Sequence, residues 1–329
     1  MSALAPTLQA FFTERLLSQR RASPHTIAAY RDAFCLLLGF AQRETGKAPT
    51  KLEMEDLDST LIGAFLDSLE RDRRNSVRTR NARLAAIHSL FRFAALRHPD
   101  HAGLIQRVLA IPPKRFERKI VAFLTDEEVE ALVAAPDRTS FLGRRDHALM
   151  LLAIQTGLRV SELVGLKCED VIFGVGAHVR CVGKGRKERA TPLTTRTAAV
   201  LKAWLGELDA QPAAALFPTR QGAALSRYGV TVLIARHADA AAASCQSLAA
   251  KKVSPHVLRH TAAMRLLHAG VDTSVIALWL GHEDIQTTQI YVHADLSLKE
   301  RALARTAPIT SRHGRYRPPD QLLAFLQSL

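Results

Sequence analysis

Five short segments in the second half of the chain carry side chains suited to chemistry at phosphorus. They are Thr156-Gly157-Leu158-Arg159-Val160-Ser161-Glu162, Gly183-Lys184-Gly185-Arg186-Lys187, Ser254-Pro255-His256-Val257-Leu258-Arg259-His260, Leu280-Gly281-His282 and Thr287-Thr288-Gln289-Ile290-Tyr291. A guanidinium is planar and permanently charged, so Arg159 and Arg259 suit a developing oxyanion. A lysine or histidine can move a proton, and a tyrosine can form a covalent ester. Each segment alone also has an ordinary reading. An arginine after a helix-ending glycine is commonly a surface charge or cap. Gly183-Lys184-Gly185 is no P-loop, because His178 and Gly185 stand where Gly and Ser or Thr belong. His256 and His260 have the four-residue spacing of zinc ligands, but Val257 stands where the HExxH base would be. A lone Tyr291 on an amphipathic helix would ordinarily be core.

Their order and spacing change the reading. An Arg, a Lys on a hairpin, His-x-x-Arg, Leu-Gly-His and a Tyr nine residues later resemble the tyrosine recombinase (phage integrase) family over about 125 to 295. A looser likeness to that family's core-binding domain covers about 5 to 105. The resemblance implies a catalytic set of Arg159, Lys184, His256, Arg259, His282 and Tyr291, with Glu162 in support. The physical chemistry agrees with those roles. Keeping the energy of a cut DNA phosphodiester requires a nucleophile that stays attached, and Tyr291 can do so. Its phenol has an ordinary pKa of about 10, so it needs help to attack. Arg159 and Arg259 would clamp the nonbridging oxygens, and His282 would add a donor. Lys184 is the candidate acid for the departing 5′-oxygen. His256 lies one helical turn before Arg259; it is the expected proton acceptor, held by a hydrogen bond from the Glu162 side. Nothing in this chemistry calls for a metal, a nucleotide or another cofactor.

These residues need two helical bodies and a hairpin to position them. The chain has 329 residues, enough for two domains with their own cores. In the first hundred, Leu8, Phe11, Phe12, Leu16 and Leu17 recur at helical spacing. Ser23-Pro24 caps and opens a second helix. A third runs from about Asp58 to Leu69, and a fourth from Ser76 with Leu84, Ile87, Phe91 and Ala94 inward. Ile111-Pro112-Pro113-Lys114-Arg115-Phe116-Glu117-Arg118-Lys119 cannot continue a helix and reads as a basic linker. Thr125-Asp126-Glu127-Glu128 is a capping box, a helix ends at Gly157, and 178–182 with 188–193 form a hairpin. Helices are expected at about 195–208, 226–243, 255–269, 273–280 and 284–292. The fold class is therefore mainly α with a small β-hairpin. The resemblance makes this an all-helical, SAM-like core-binding domain (1–111), a basic linker (112–120), an α+β catalytic domain (121–305) and a tail (306–329). No additional arm-binding domain is expected before the first.

Lys and Arg outnumber Asp and Glu 45 to 31, a net charge of +14. That favours a polyanion, nucleic acid before membrane. No apolar run approaches the ~18–20 residues of a membrane span, no signal peptide is evident, and four scattered cysteines form no CxxC pair. Membrane, secreted and zinc-finger classes are thus disfavoured, and a cytoplasmic, nucleoid-associated protein is expected. Arg78, Arg80, Arg83, Lys114 and Arg115 are candidate DNA contacts. The resemblance implies a clamp around duplex DNA, assembly of four protomers on two sites, a 3′-phosphotyrosyl intermediate and a Holliday junction. Companion recombinases or DNA-bending proteins could take part. It also implies that Leu296 to Arg305 is passed to a neighbouring subunit; beyond the family pattern, Leu322, Phe325, Leu326 and Leu329 line one side of an expected last short helix and offer a further docking face. Two other readings are weaker. A type IB topoisomerase shares the chemistry, and a helix-turn-helix regulator could use His260 to Gln289 but has no need of the catalytic set.

Overall fold

The computed structural model describes residues 4–116, 121–183, 188–281 and 288. The chain divides into two compact units, Met1–Arg118 and Lys119–Leu329. The first unit is helical: α1 (Leu4–Ala10) runs into π-helical turns at Phe11–Gln19, then come α2 (Pro24–Thr45), α3 (Ser59–Arg71), α4 (Val77–Ala95) and α5 (Ala102–Leu109). Local chemistry sets the starts. Ser23, Asp58 and Ser76 each accept a bond from the backbone N–H three residues on, at 3.2, 2.7 and 3.2 Å. The wider winding of the π-helical turns buries Phe11 and Leu16 and leaves Leu17 exposed. Phe11 then meets Phe34 edge-on at 6.0 Å, in a core shared with Phe40, Phe65, Ile87 and Phe91.

The expected linker starts out packed on this unit. Asn81 Nδ2 donates to the Lys114 carbonyl at 2.8 Å, and the Lys114 N–H donates to Asn81 Oδ1 at 3.1 Å. The Arg80 guanidinium donates to the Pro112 carbonyl at 3.4 Å. Proline removes a donor and holds its own φ, so the segment stays extended and borrows its hydrogen bonds from α4. Residues 117–120, the rest of that expected linker, lie outside the described residues.

In the second unit α6 (Asp126–Ala134), α7 (Phe141–Thr156) and α8 (Val160–Gly165) precede a sheet of β1 (Val171–Ile172), β2 (His178–Val182) and β3 (Glu188–Pro192). Then follow α9 (Thr195–Leu208), α10 (Arg227–Ala241), α11 (Pro255–His268) and α12 (Thr273–Leu280). The sheet is antiparallel in the order β1-β2-β3, with Val179 opposite Thr191 and Cys181 opposite Arg189. The hairpin spacing anticipates β2 and β3; the two-residue β1 is too short to show a period. Helix α7 is buried on almost every side and packs on α9 and α11, so it is the axle of this unit. Among the described residues no helix is long and apolar enough to cross a membrane.

One buried charge cluster fixes α7 to α10. Asp146 is fully buried and accepts from Arg145 at 2.9 and 2.7 Å, from Arg236 at 3.0 Å, and pairs with His237 Nε2 at 2.9 Å. Removing only the carboxylate leaves the buried Arg145 charge uncompensated. Asp146→Ala is therefore expected to cost about 3–5 kcal/mol, read by denaturant unfolding. A loss below about 1 kcal/mol would mean that water can replace the carboxylate.

Candidate active site

Three helix ends and the sheet meet where the sequence places its chemistry. Helix α7 stops at Gly157, whose φ of +62° is left-handed. A Cβ there would lie 2.6 Å from Leu280 Cδ2 and 3.1 Å from Ala262 Cβ, so both conformation and space call for glycine. The chain then turns within two residues into α8, with Arg159 at its N-cap. Helix α11 starts at Ser254-Pro255, with the Ser254 hydroxyl accepting from the Val257 N–H at 3.4 Å. Arg259 thus sits in its first turns.

Arg259 is 4% exposed. Its Nη1 donates to the Gly157 carbonyl at 2.6 Å and its Nη2 to the Leu280 carbonyl at 2.7 Å. Arg159 Nη2 donates to the next carbonyl, that of Gly281, at 3.0 Å. The carbonyls at a helix C-terminus lack intrahelical donors and sit at its negative end. Two guanidiniums from different helices therefore converge on the last turn of α12 and cap it. Arg159 keeps its side chain about one-third exposed, so a second anion can reach it from solvent. His256 is exposed on the first turn of α11, and its ring centroid lies 4.2 Å from that of the buried His260.

Glu162 is placed differently from expectation. Its Oε1 accepts from Arg159 Nη1 at 2.9 Å, and its Oε2 from the Arg159 N–H at 2.7 Å and from Arg189 Nη2 at 2.8 Å. The carboxylate orients Arg159 and engages Arg189; it is not the support of His256. A buried carboxylate between two guanidiniums takes the stronger, charge-assisted bonds. Arg189 was not singled out by the sequence motif. The available signal was a charged residue at an inward strand position, opposite buried Cys181 and in phase with buried Thr191. Lys184, His282 and Tyr291 lie outside the described residues, as do the expected helix at 284–292, apart from Thr288, and the whole tail. Among the described residues no group of three or more His, Cys, Asp or Glu is placed to hold a metal.

The candidate DNA contacts of the first unit divide. Arg78 and Arg115 are exposed. Arg83 is half-buried, and burial followed by the neighbouring Arg73 pushes its guanidinium below the ordinary range, with Asp32 acting in the other direction. An anion would relieve that repulsion. Arg80 is a correction: its side chain is only 6% exposed, 3.9 Å from Glu70 and bonded to Asn81 and Pro112. It holds the 112–114 segment rather than facing a phosphate. Lys114 is paired with Glu70 and with Asp67 at 3.7 Å, so two carboxylates already neutralise it.

Residues 122–297 match the phage integrase family, and residues 10–98 match the phage integrase N-terminal SAM-like domain. The chain belongs to the phage integrase family of tyrosine recombinases, with a helical SAM-like domain ahead of a catalytic domain, and its activity is DNA strand cleavage and rejoining in site-specific recombination. It is 56% identical over 328 residues to a protein of Sinorhizobium fredii named as the integrase/recombinase y4rC, covering 100% of this chain and 99% of that one. It is 34% identical over 289 residues to the tyrosine recombinase XerC of Pelobacter propionicus, covering 87% and 90% of the two. Among solved structures, the XerH site-specific recombinase in a post-cleavage complex with its palindromic difH substrate shares the fold. The TM-score is 0.67 at 21% identity, over 92% of this chain and 88% of that one.

Proposed function

We propose that this chain recombines DNA with the six residues Arg159, Lys184, His256, Arg259, His282 and Tyr291. The observation that carries the reading is the convergence of Arg159 and Arg259 on the Leu280 and Gly281 carbonyls, next in sequence to His282, which itself stands nine residues before Tyr291. A scissile phosphate at the solvent side of this pair meets two fixed positive charges. Tyr291 Oη attacks phosphorus; the Tyr–O–P bond forms as the P–O5′ bond breaks. The phenol proton passes to His256, and Lys184 protonates the leaving 5′-oxygen. His282 adds a donor to the nonbridging oxygens. The reverse sequence, with a 5′-hydroxyl from another strand, rejoins the backbone without metal or ATP. The family match across the catalytic region leaves no support for the helix-turn-helix regulator, and the relatives' names favour recombination over supercoil relaxation.

The test is a nicked suicide substrate whose short 5′ fragment diffuses away after cleavage. The expected result is a denaturation-resistant protein–DNA adduct that forms equally well in excess EDTA. A reaction lost in EDTA, and restored by Mg²⁺ but not by a polyamine, would overturn the metal-free mechanism.

Four protomers acting on two DNA sites in the cytoplasm, through a Holliday junction, complete the proposal. Arg78, Arg83 and Arg115 supply phosphate contacts, which give affinity and register rather than sequence preference. The segment after Asp295 packs against a neighbouring subunit and gates Tyr291. Truncation after Asp295 is then expected to preserve binding by one protomer and to weaken cooperative assembly in gel-shift titrations. Unchanged cooperativity would place that segment on its own subunit.

A further inference from the structure

Arg189 lies in β3, and its side chain is 13% exposed. It reaches three elements at once. Across the hairpin, Nε donates to Cys181 Sγ at 3.2 Å. Toward α8, Nη2 donates to Glu162 Oε2 at 2.8 Å, sharing that oxygen with the Arg159 N–H at 2.7 Å. Toward α12, its remaining nitrogen, Nη1, lies under Gly281: a Cβ built on Gly281 would sit 2.3 Å from Nη1 and 3.3 Å from Cζ. Nη1 is buried and has no hydrogen-bond partner among the described residues.

That placement exceeds what sheet stability needs. An inward strand position opposite a cysteine is ordinarily filled by an apolar side chain. A guanidinium there must be desolvated, which is tolerated only with a charged partner. The partner is the carboxylate that also orients Arg159. The element pressed against the guanidinium is Gly281, whose carbonyl Arg159 holds. Arg159, Glu162, Arg189 and Gly281 thus form a closed contact loop across α8, β3 and the end of α12. A shift of the hairpin relative to α8 must pull on the carboxylate that sets the Arg159 rotamer. A shift of the Leu280-Gly281 turn must push on the Arg189 guanidinium.

We propose that Arg189 is a positioning residue for strand cleavage, tying the β2–β3 hairpin and the Gly281 turn to the Glu162–Arg159 pair. It acts through Arg159 rather than on the phosphate, because its terminal nitrogens are shielded. The inference rests on the proposed role of Arg159 as a clamp. It also explains the residue at 281: with Arg189 beneath it and a φ of +64°, only glycine fits without displacing the guanidinium.

The experiment compares single-turnover cleavage on the suicide substrate with the affinity for the same site. Arg189→Gln is expected to lower the cleavage rate by about 10²-fold, the scale of a small displacement of a catalytic group, while the site Kd changes less than about threefold. Glu162→Gln is expected to show a similar defect, and the double variant a defect no larger than the worse single one, because the two act as a unit. Gly281→Ala is expected to impair cleavage in the wild-type background and to add little in Arg189→Ala, where the guanidinium is gone. Arg189→Lys keeps one charge without the fork, so its rate should lie between wild type and Arg189→Gln; it also serves if Arg189→Gln does not fold. Wild-type cleavage by folded Arg189→Gln would overturn the proposal. So would multiplication of the Arg189 and Glu162 defects, or a loss confined to DNA affinity. A wild-type protein that forms no adduct at all would instead refute the recombination chemistry on which the inference depends.

Discussion

Arg259→Ala is expected to lower strand cleavage on a bound site by two to three orders of magnitude. Losing a fixed donor to a developing oxyanion costs roughly 3–4 kcal/mol in the transition state. The same substitution has a second cost that Arg159→Ala does not share to the same degree. Arg259 is buried and caps the carbonyls of Gly157 and Leu280. Removing it strands two acceptors at helix C-termini, at about 1–3 kcal/mol for each buried acceptor left unmade. Arg159 is one-third exposed and its partner Glu162 retains Arg189, so Arg159→Ala should remain closer to wild-type stability. Single-turnover cleavage and thermal unfolding, measured on both variants, separate the two effects. A rate loss in Arg259→Ala that vanishes when cleavage is measured well below its melting temperature would mean that the guanidinium is a cap and not a clamp.

What could be read before the structure followed from how local the cause is. Ser23, Asp58, Ser76 and Thr125 start helices because each cap bond closes within three residues, and such caps are visible in sequence. The end of α7 was legible for the same reason, since Gly157 is one of the few residues that accept a left-handed turn. The π-helical turns at Phe11–Gln19 were not, because apolar residues at 8, 11, 12, 16 and 17 fit an ordinary helix equally well. Nor was the burial of Arg80, which depends on a segment more than thirty residues away returning to cover it. At the site, the types and order of the six residues were legible, while their partners were not. Glu162 was expected to serve His256 and instead serves Arg159 and Arg189. Proximity to a carboxylate is decided by the fold, and a guanidinium, being permanently charged and forked, takes the buried acid.

Tyr291→Phe is expected to abolish the covalent adduct while leaving affinity for the site within about twofold, since the loss of one hydroxyl from a phosphate-dominated interface changes little else. The chain holds four tyrosines, and three can be weighed against Tyr291. Tyr30 is stacked on Phe11 at 6.3 Å within the first unit, whereas both clamping arginines belong to the second. Tyr228 is 79% exposed on α10 and has no sequence link to the Leu280-Gly281-His282 segment. Tyr316 lies outside the described residues, 34 positions after His282 rather than nine. A phenol with an ordinary pKa of about 10 is a poor nucleophile at neutral pH. It attacks usefully only where fixed cations neutralise the phosphate and a base removes its proton. Tyr291 follows closely on the turn that Arg159 and Arg259 hold, so it needs the fewest further assumptions. Phenylalanine at 30, 228 or 316 should therefore leave the adduct intact. Loss of the adduct in Tyr316→Phe, with its retention in Tyr291→Phe, would move the nucleophile into the tail and undo the proposed order of the catalytic residues.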